Sequence, residues 1–258
     1  GEEEVQDFAK IMAKFQKETE ALVIDQVSNP GGSLFYLYAL ASHLTDKPLK
    51  APRHRLLIGE ADAHDAAELL LEAMGVKPQK KPVKGAKKEE PETASGYPIT
   101  QKFITLMLKS AAYILNQFNS GKRYTGLIHV AGVKDIDPFP KEDERYTKPI
   151  LLLTNALDFS GGDFFPAILQ DNKRATILGV RTAGAGGMVK DFDLPNQFGI
   201  DHLSATDSLA ERANGQPIEN LGVTPDIPYE LTQKDLRTGF AEYRRNILKA
   251  LYGLVGRP

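Results

Sequence analysis

Pro149-Ile150-Leu151-Leu152-Leu153-Thr154-Asn155-Ala156-Leu157-Asp158-Phe159-Ser160-Gly161-Gly162-Asp163-Phe164-Phe165 decides the fold. Ile150 to Leu153 form a short unbroken apolar run, the pattern of a strand covered on both faces of an α/β sheet. A sharp turn follows, and a helix is expected to begin near Gly162. Ser160 falls at that turn, with two glycines behind it that let the backbone bend tightly and approach a ligand. A serine there sits on rigid supports beside the free N–H groups of a helix start, the geometry of a nucleophile with its oxyanion hole. The competing reading is equally local: Ser160 with Asp163 three residues on is also an ordinary helix N-cap.

The same grammar occurs earlier in the chain. Ala21 to Val27 reads as a buried strand, Ser28-Asn29-Pro30-Gly31-Gly32 as a turn, and Ser33 to about Thr45 as an apolar helix. Two strand–glycine turn–helix units predict a mainly parallel sheet flanked by helices. Around them, residues 4 to 17, 60 to 74 and 99 to 119 carry helical apolar stripes, and residues 234 to 254 read as a terminal helix. Short strands are expected at residues 54 to 58, 126 to 131 and 175 to 180, a polar loop at 135 to 148, and antiparallel strands over 188 to 212. Residues 77 to 96 are rich in Lys, Pro and Glu and almost lack large apolar groups. That composition predicts a flexible surface insertion within one domain spanning 1 to 258.

Composition narrows the function. The 258 residues are 41% hydrophobic and 26% charged, with a formal net charge of −2. That balance supports a globular core and gives no electrostatic case for nucleic acid as a partner. With no cysteine, thiolate catalysis, disulfides and zinc–thiolate sites are excluded. His43, His54, His64, His129 and His202 form no metal-ligand spacing, so no metal and no cofactor is expected. No apolar run reaches membrane-spanning length, and no signal peptide is visible. Thr182-Ala183-Gly184-Ala185-Gly186-Gly187 lacks the residues of a phosphate-binding loop. Asp158 stands where an α/β-hydrolase places glycine, which disfavours that fold. The opening Gly1-Glu2-Glu3-Glu4 does not begin with Met, so a processed or trimmed chain is expected.

Four segments in order carry a family resemblance. Leu22-Val23-Ile24-Asp25 with Asn29-Pro30-Gly31-Gly32 resembles the D-x-R-x-N-x-G-G segment of the tail-specific, or C-terminal-processing, serine proteases. The strand and serine at 150 to 165, the run Gly179-Val180-Arg181-Thr182-Ala183-Gly184, and Gly222-Val223-Thr224-Pro225-Asp226 resemble that family's nucleophile, the loop after it and its G-V-x-P-D signature. The likeness covers roughly residues 20 to 48 and 149 to 230. It implies a crotonase-like protease core, Ser160 as nucleophile, and oxyanion N–H groups from Gly161 and from Gly31 or Gly32. Many members use a Ser–Lys dyad, but Ala185 occupies the lysine's place here. The resemblance is therefore to the Ser–His–Glu branch, with Glu219 matching its glutamate.

In that branch the histidine lies far upstream, and none of the five here sits in a matching motif. The expectation is a C-terminal catalytic portion that cleaves peptide bonds through an acyl-enzyme only when an N-terminal portion supplies the histidine. The resemblance further implies protein or peptide substrates, a possible homodimer, and a secreted or periplasmic setting. A catalytically silent binding domain on the same scaffold is the competing expectation.

Overall fold

The computed structural model describes residues 1–76, 93–196 and 199–256. The first part runs α1 (Glu2–Glu18), β1 (Leu22–Asp25), α2 (Leu34–Ser42), β2 (Leu49–Lys50), β3 (Arg53–Leu56) and α3 (Glu60–Ala73). The middle comprises β4 (Thr93–Ala94), β5 (Tyr97–Pro98), α4 (Gln101–Asn119), β6 (Asp135–Ile136), β7 (Ile150–Thr154), α5 (Gly161–Asp171) and β8 (Thr176–Gly179). The last part holds β9 (Val189–Asp193), β10 (His202–Thr206), β11 (Ser208–Glu211), β12 (Ile227–Pro228), α6 (Gln233–Arg237) and α7 (Ala241–Leu254).

A four-stranded sheet, ordered β1-β7-β8-β12, organises the molecule, and every neighbouring pair in it is parallel. All five residues of β7 are buried. The reason is that its two faces enter different cores. Ile150 and Leu152 join the main core with Leu22, Ile177 and the apolar faces of α2 and α5, whereas Leu151 and Leu153 meet Leu178, Tyr243, Ile247 and Leu251 on the α7 side. Burial on both faces removes the alternation that a half-exposed strand would show. The expected mainly parallel sheet flanked by helices is what forms. On α1, Val5 and Met12 are buried and Phe8 and Phe15 pack against the same core.

Several expectations are corrected. Residues 126–131 form no strand; only isolated bridges, Leu57 with Tyr124 and His54 with Ile128, touch this region, and Ala131 takes φ 48° in a single 3-10 turn. The span 135–148 is not simply a polar loop, because Ile136 and Tyr146 are fully buried and β6 pairs with β2. Among 188–212, β9 and β10 form an antiparallel ribbon, but β11 pairs with β3 instead. The terminal helix is broken. Gly239 and Phe240 have positive φ, and the carboxylate of Asp235 takes hydrogen bonds from Thr232, Tyr229 and the Tyr243 N–H across the break. Of the Lys/Pro-rich stretch, 77–92 lies outside the described residues. Thr93 to Pro98 make a small hairpin in which Tyr97 is buried.

Candidate active site

The parallel sheet brings two turns side by side, one leaving β1 and one leaving β7. Asp158 stitches them together. Its carboxylate is buried and accepts hydrogen bonds from the N–H groups of Asn29 (2.9 Å) and Asn155 (2.8 Å). Burial pushes its pKa up, while those backbone bonds pull it down. Phe159 N–H adds a third link by donating to Asn29 O at 2.9 Å. The residue that disfavoured the α/β-hydrolase reading is thus the clamp of a different turn.

Ser160 occupies the N-cap position of α5, yet its side chain makes no capping bond, and its backbone takes φ 50° and ψ −111°. A non-glycine residue in such a region costs on the order of 1–3 kcal/mol and survives only when its surroundings overdetermine it. Here Ser160 N–H donates to Ala185 O (3.1 Å), and Ser160 O accepts from the N–H groups of Asp163 (2.8 Å) and Phe164 (2.9 Å). Capping does not explain the residue.

Nor is Asp163 a partner in a cap. It is fully buried, and its Oδ1 accepts from Thr182 Oγ1 (2.5 Å) and Gly184 N–H (2.8 Å), while Oδ2 accepts from Ala185 N–H (3.0 Å). The carboxylate that local sequence assigns to the helix start instead pins the glycine loop over Ser160.

Gly31 has φ +93°, and a Cβ there would lie 2.7 Å from Gly161 N, Phe159 O and Ser160 Cβ. Only glycine fits so close to this turn. A Cβ on Gly161 would in turn lie 3.1 Å from Gly32 N. The two glycine turns therefore touch through bare backbone. Gly31 N–H is already spent on Asn29 Oδ1 at 2.9 Å. Among the described residues, the N–H groups of Gly32 and Gly161 have no hydrogen-bond acceptor. They form the available donor pair beside Ser160.

Glu219 lies between β11 and β12, half-buried, with Oε1 and Oε2 accepting from Ala210 N–H at 2.9 and 3.0 Å. Its loop is sewn to the same glycine loop: Asn220 N–H donates to Gly184 O (2.8 Å) and Val223 N–H to Thr182 Oγ1 (2.8 Å). Ser160 and Glu219 thus hang from one shared loop, 182–185. Ala185 is exposed and carries no ionisable group.

None of the five histidines hydrogen-bonds to Ser160 or Glu219. His43 Nδ1 bonds Ala39 O, His129 Nδ1 bonds Pro52 O, and His64 and His202 lie at exposed positions near Glu68 and Asp191. His54, which carries no matching motif in the sequence, differs from these. It is fully buried on β3, opposite Ala210, whose N–H holds Glu219. Burial, with a smaller push from His129, lowers its pKa to about 4. Its Nδ1 lies 3.4 Å from Ser208 Oγ, its Nε2 has no partner, and its ring lies 5.2 Å from that of Phe164, tilted by 40°. Among the described residues, no group of three or more His, Asp or Glu side chains is arranged to hold a metal.

The comparisons give this scaffold a family. The model of peptidase family S41 matches residues 1–229, and the chain belongs to that family. Among solved structures, mature CPAF is similar at 39% identity and a TM-score of 0.86, with 98% of this chain and 47% of that one covered. A protein of Chlamydia muridarum is 41% identical over 254 residues, covering 97% of this chain and 41% of its own length. A carboxy-terminal-processing protease of Bartonella bacilliformis is 33% identical over 106 residues, or 39% of this chain and 24% of that protein. The chain spans less than half the length of these relatives.

Proposed function

We propose that the chain is the catalytic portion of a serine endopeptidase, with Ser160 as nucleophile. The observation that carries this is the strained, uncapped Ser160 facing the free N–H groups of Gly161 and Gly32. Serine Oγ attacks the scissile carbonyl carbon and its proton passes to an imidazole. The carbonyl oxygen becomes an oxyanion and takes hydrogen bonds from the two glycine N–H groups. Removing one such donor from a peptidase costs about 10²–10³ in kcat. The C–N bond then breaks as the imidazolium protonates the leaving amine, and water hydrolyses the acyl-enzyme by the reverse proton path.

Glu219 orients that imidazole and stabilises its charged form. The imidazole comes from a portion of the protease outside these 258 residues, since no histidine here meets Ser160. Ser160 and Glu219 alone form a nucleophile without a base, so the isolated chain cleaves poorly. The same reading makes protein or peptide the substrate, the N-terminal portion the partner, and a homodimer in a secreted or periplasmic setting the working form. Among the described residues no helix is long and apolar enough to cross a membrane.

The competing proposal, a silent binding domain, draws on Ala185 and on the missing imidazole. Peptide hydrolysis by this chain joined with its histidine-bearing portion separates the two. The protease reading expects loss of activity in Ser160→Ala and a deficit of at least about 10²-fold in Glu219→Gln. Turnover that survives Ser160→Ala contradicts it.

A further inference from the structure

At their carboxyl ends the four parallel strands open onto a cavity on the α7 side of the sheet, the face opposite the one that carries α2 and α5. Asp25 of β1, Thr154 of β7, Gly179 of β8 and Tyr229 after β12 line it, and its volume is about 590 Å³. Open α/β sheets bind ligands in crevices outside the carboxyl ends of their strands. The volume also falls within the roughly 300–1,000 Å³ of small-molecule sites.

The lining has an apolar part and a charged part. Val27, Leu157, Leu231 and Phe240 contribute large apolar side chains from four segments, and each of them is exposed. Exposed apolar groups that converge in this way mark a binding surface. Phe240 is held there at φ 63°, a conformation bulky residues rarely adopt, with its N–H donating to Asp235 O. The rings of Tyr229 and Tyr243, 5.3 Å apart, add two further aromatic groups. The charged part is entirely acidic: Asp25 and Glu230 line the cavity, and no Lys, Arg or His does. Among the described residues neither carboxylate has an ion-pair partner, and Asp25 accepts only the Val27 N–H, at 3.0 Å.

Unpaired carboxylates beside aromatic faces favour a positive charge, by Coulomb attraction and cation–π contact together. The apolar walls require an organic body to carry it. We infer that this cavity binds a small apolar cation, an aromatic or alkyl amine or quaternary ammonium compound, and that the occupant is an effector of the active site. The route is short. Val27 and Leu157 belong to the two turns that carry Gly31–Gly32 and Ser160. Asn155, also in the wall, joins those turns, its Oδ1 accepting hydrogen bonds from the N–H groups of Ser28 (3.1 Å) and Leu157 (2.9 Å). A ligand resting on both turns therefore bears on the joint behind the nucleophile. The binding stands apart from the proteolytic reading, whereas the effector role rests on it.

The test titrates the chain joined with its histidine-bearing portion with benzyltrimethylammonium, benzyl alcohol and phenylacetate, followed by ligand NMR. The cation is expected to bind at millimolar concentration or below, and at least about five-fold more tightly than the neutral and anionic probes. Glu230→Gln, at an exposed position, is expected to weaken the cation by about two- to five-fold. Leu231→Trp is expected to abolish binding by filling the cavity. Saturating cation is expected to change the rate of fluorophosphonate labelling of Ser160 by about five-fold or more, and to leave that rate unchanged in Leu231→Trp. No binding, equal binding of the three probes, or affinity unmoved by both variants overturns the site. Binding with an unchanged labelling rate, or a rate change that persists in Leu231→Trp, overturns the effector role. If Ser160 is labelled under no condition, the proteolytic reading fails and the effector role with it, while the titration still decides the binding.

Discussion

At Ser160 the backbone holds φ 50° only because the Ala185 carbonyl and the Asp163 and Phe164 N–H groups fix both sides of its peptide. Removing the space that allows this is the sharpest single-residue test. In Gly31→Ala, the new Cβ would sit 2.7 Å from backbone atoms of Phe159 and Gly161, at a φ that L residues avoid. The turn must shift to relieve the clash. A stability loss on the order of 1–3 kcal/mol is expected, with kcat/KM falling by about 10² or more because displaced reacting groups lose their alignment. Thermal melting and peptide turnover check the two effects separately.

His54 makes a second prediction at this scale. Burial depresses its folded pKa from 6.5 to about 4, so the unfolded chain binds its proton more readily than the native one. Stability from this group is therefore intact above pH 6.5 and is lost as pH falls through 6.5 toward 4, by up to about 3 kcal/mol. Burial lowers the pKa values of His43 and His129 in the same direction. Urea midpoints measured between pH 7 and 4.5 should fall, and fall less steeply in His54→Leu. An equal slope in both proteins would remove His54 as a cause.

At the scale of elements, the junction between α5 and the glycine loop depends on Asp163. Asp163→Ala strands the Thr182 hydroxyl and two backbone N–H groups that the carboxylate now satisfies. A cost of about 3 kcal/mol or more is expected, since each buried unsatisfied group costs about 1–3 kcal/mol. Asp163→Asn keeps one acceptor oxygen but turns an N–H₂ toward the Ala185 N–H, so an intermediate loss is expected in the same denaturation series.

Legibility in the sequence followed the reach of the interactions. The β1 and β7 units, and the helices after them, were readable because apolar runs and glycine turns are local signals. The break between α6 and α7 was not, because Asp235 works through Tyr229 and Tyr243 rather than through any periodicity. The burial of Ile136 and Tyr146 was hidden inside a polar-looking segment. Within the site, Ser160, Gly31, Gly32 and Gly161 stood out from turn chemistry, and Glu219 only from the family likeness. The clamps Asp158 and Asp163, and Gln26 through its bond to Gly162 O, act between segments far apart in sequence, where spacing carries no signal.

At the scale of the whole molecule, Ser160, the free N–H groups of Gly32 and Gly161, and Glu219 are held by one framework of loops, and none of the five histidines hydrogen-bonds to Ser160 or Glu219. The chain covers 47% of mature CPAF, so there is ample length in such relatives for a base to come from elsewhere. The most direct measurement is the rate at which a fluorophosphonate probe labels Ser160, first in this chain alone and then in the chain joined with its histidine-bearing portion. The account predicts slow labelling alone, a rise of at least about 10²-fold on joining, and none in Ser160→Ala. Equal rates in the two states, or labelling that persists in Ser160→Ala, would contradict it.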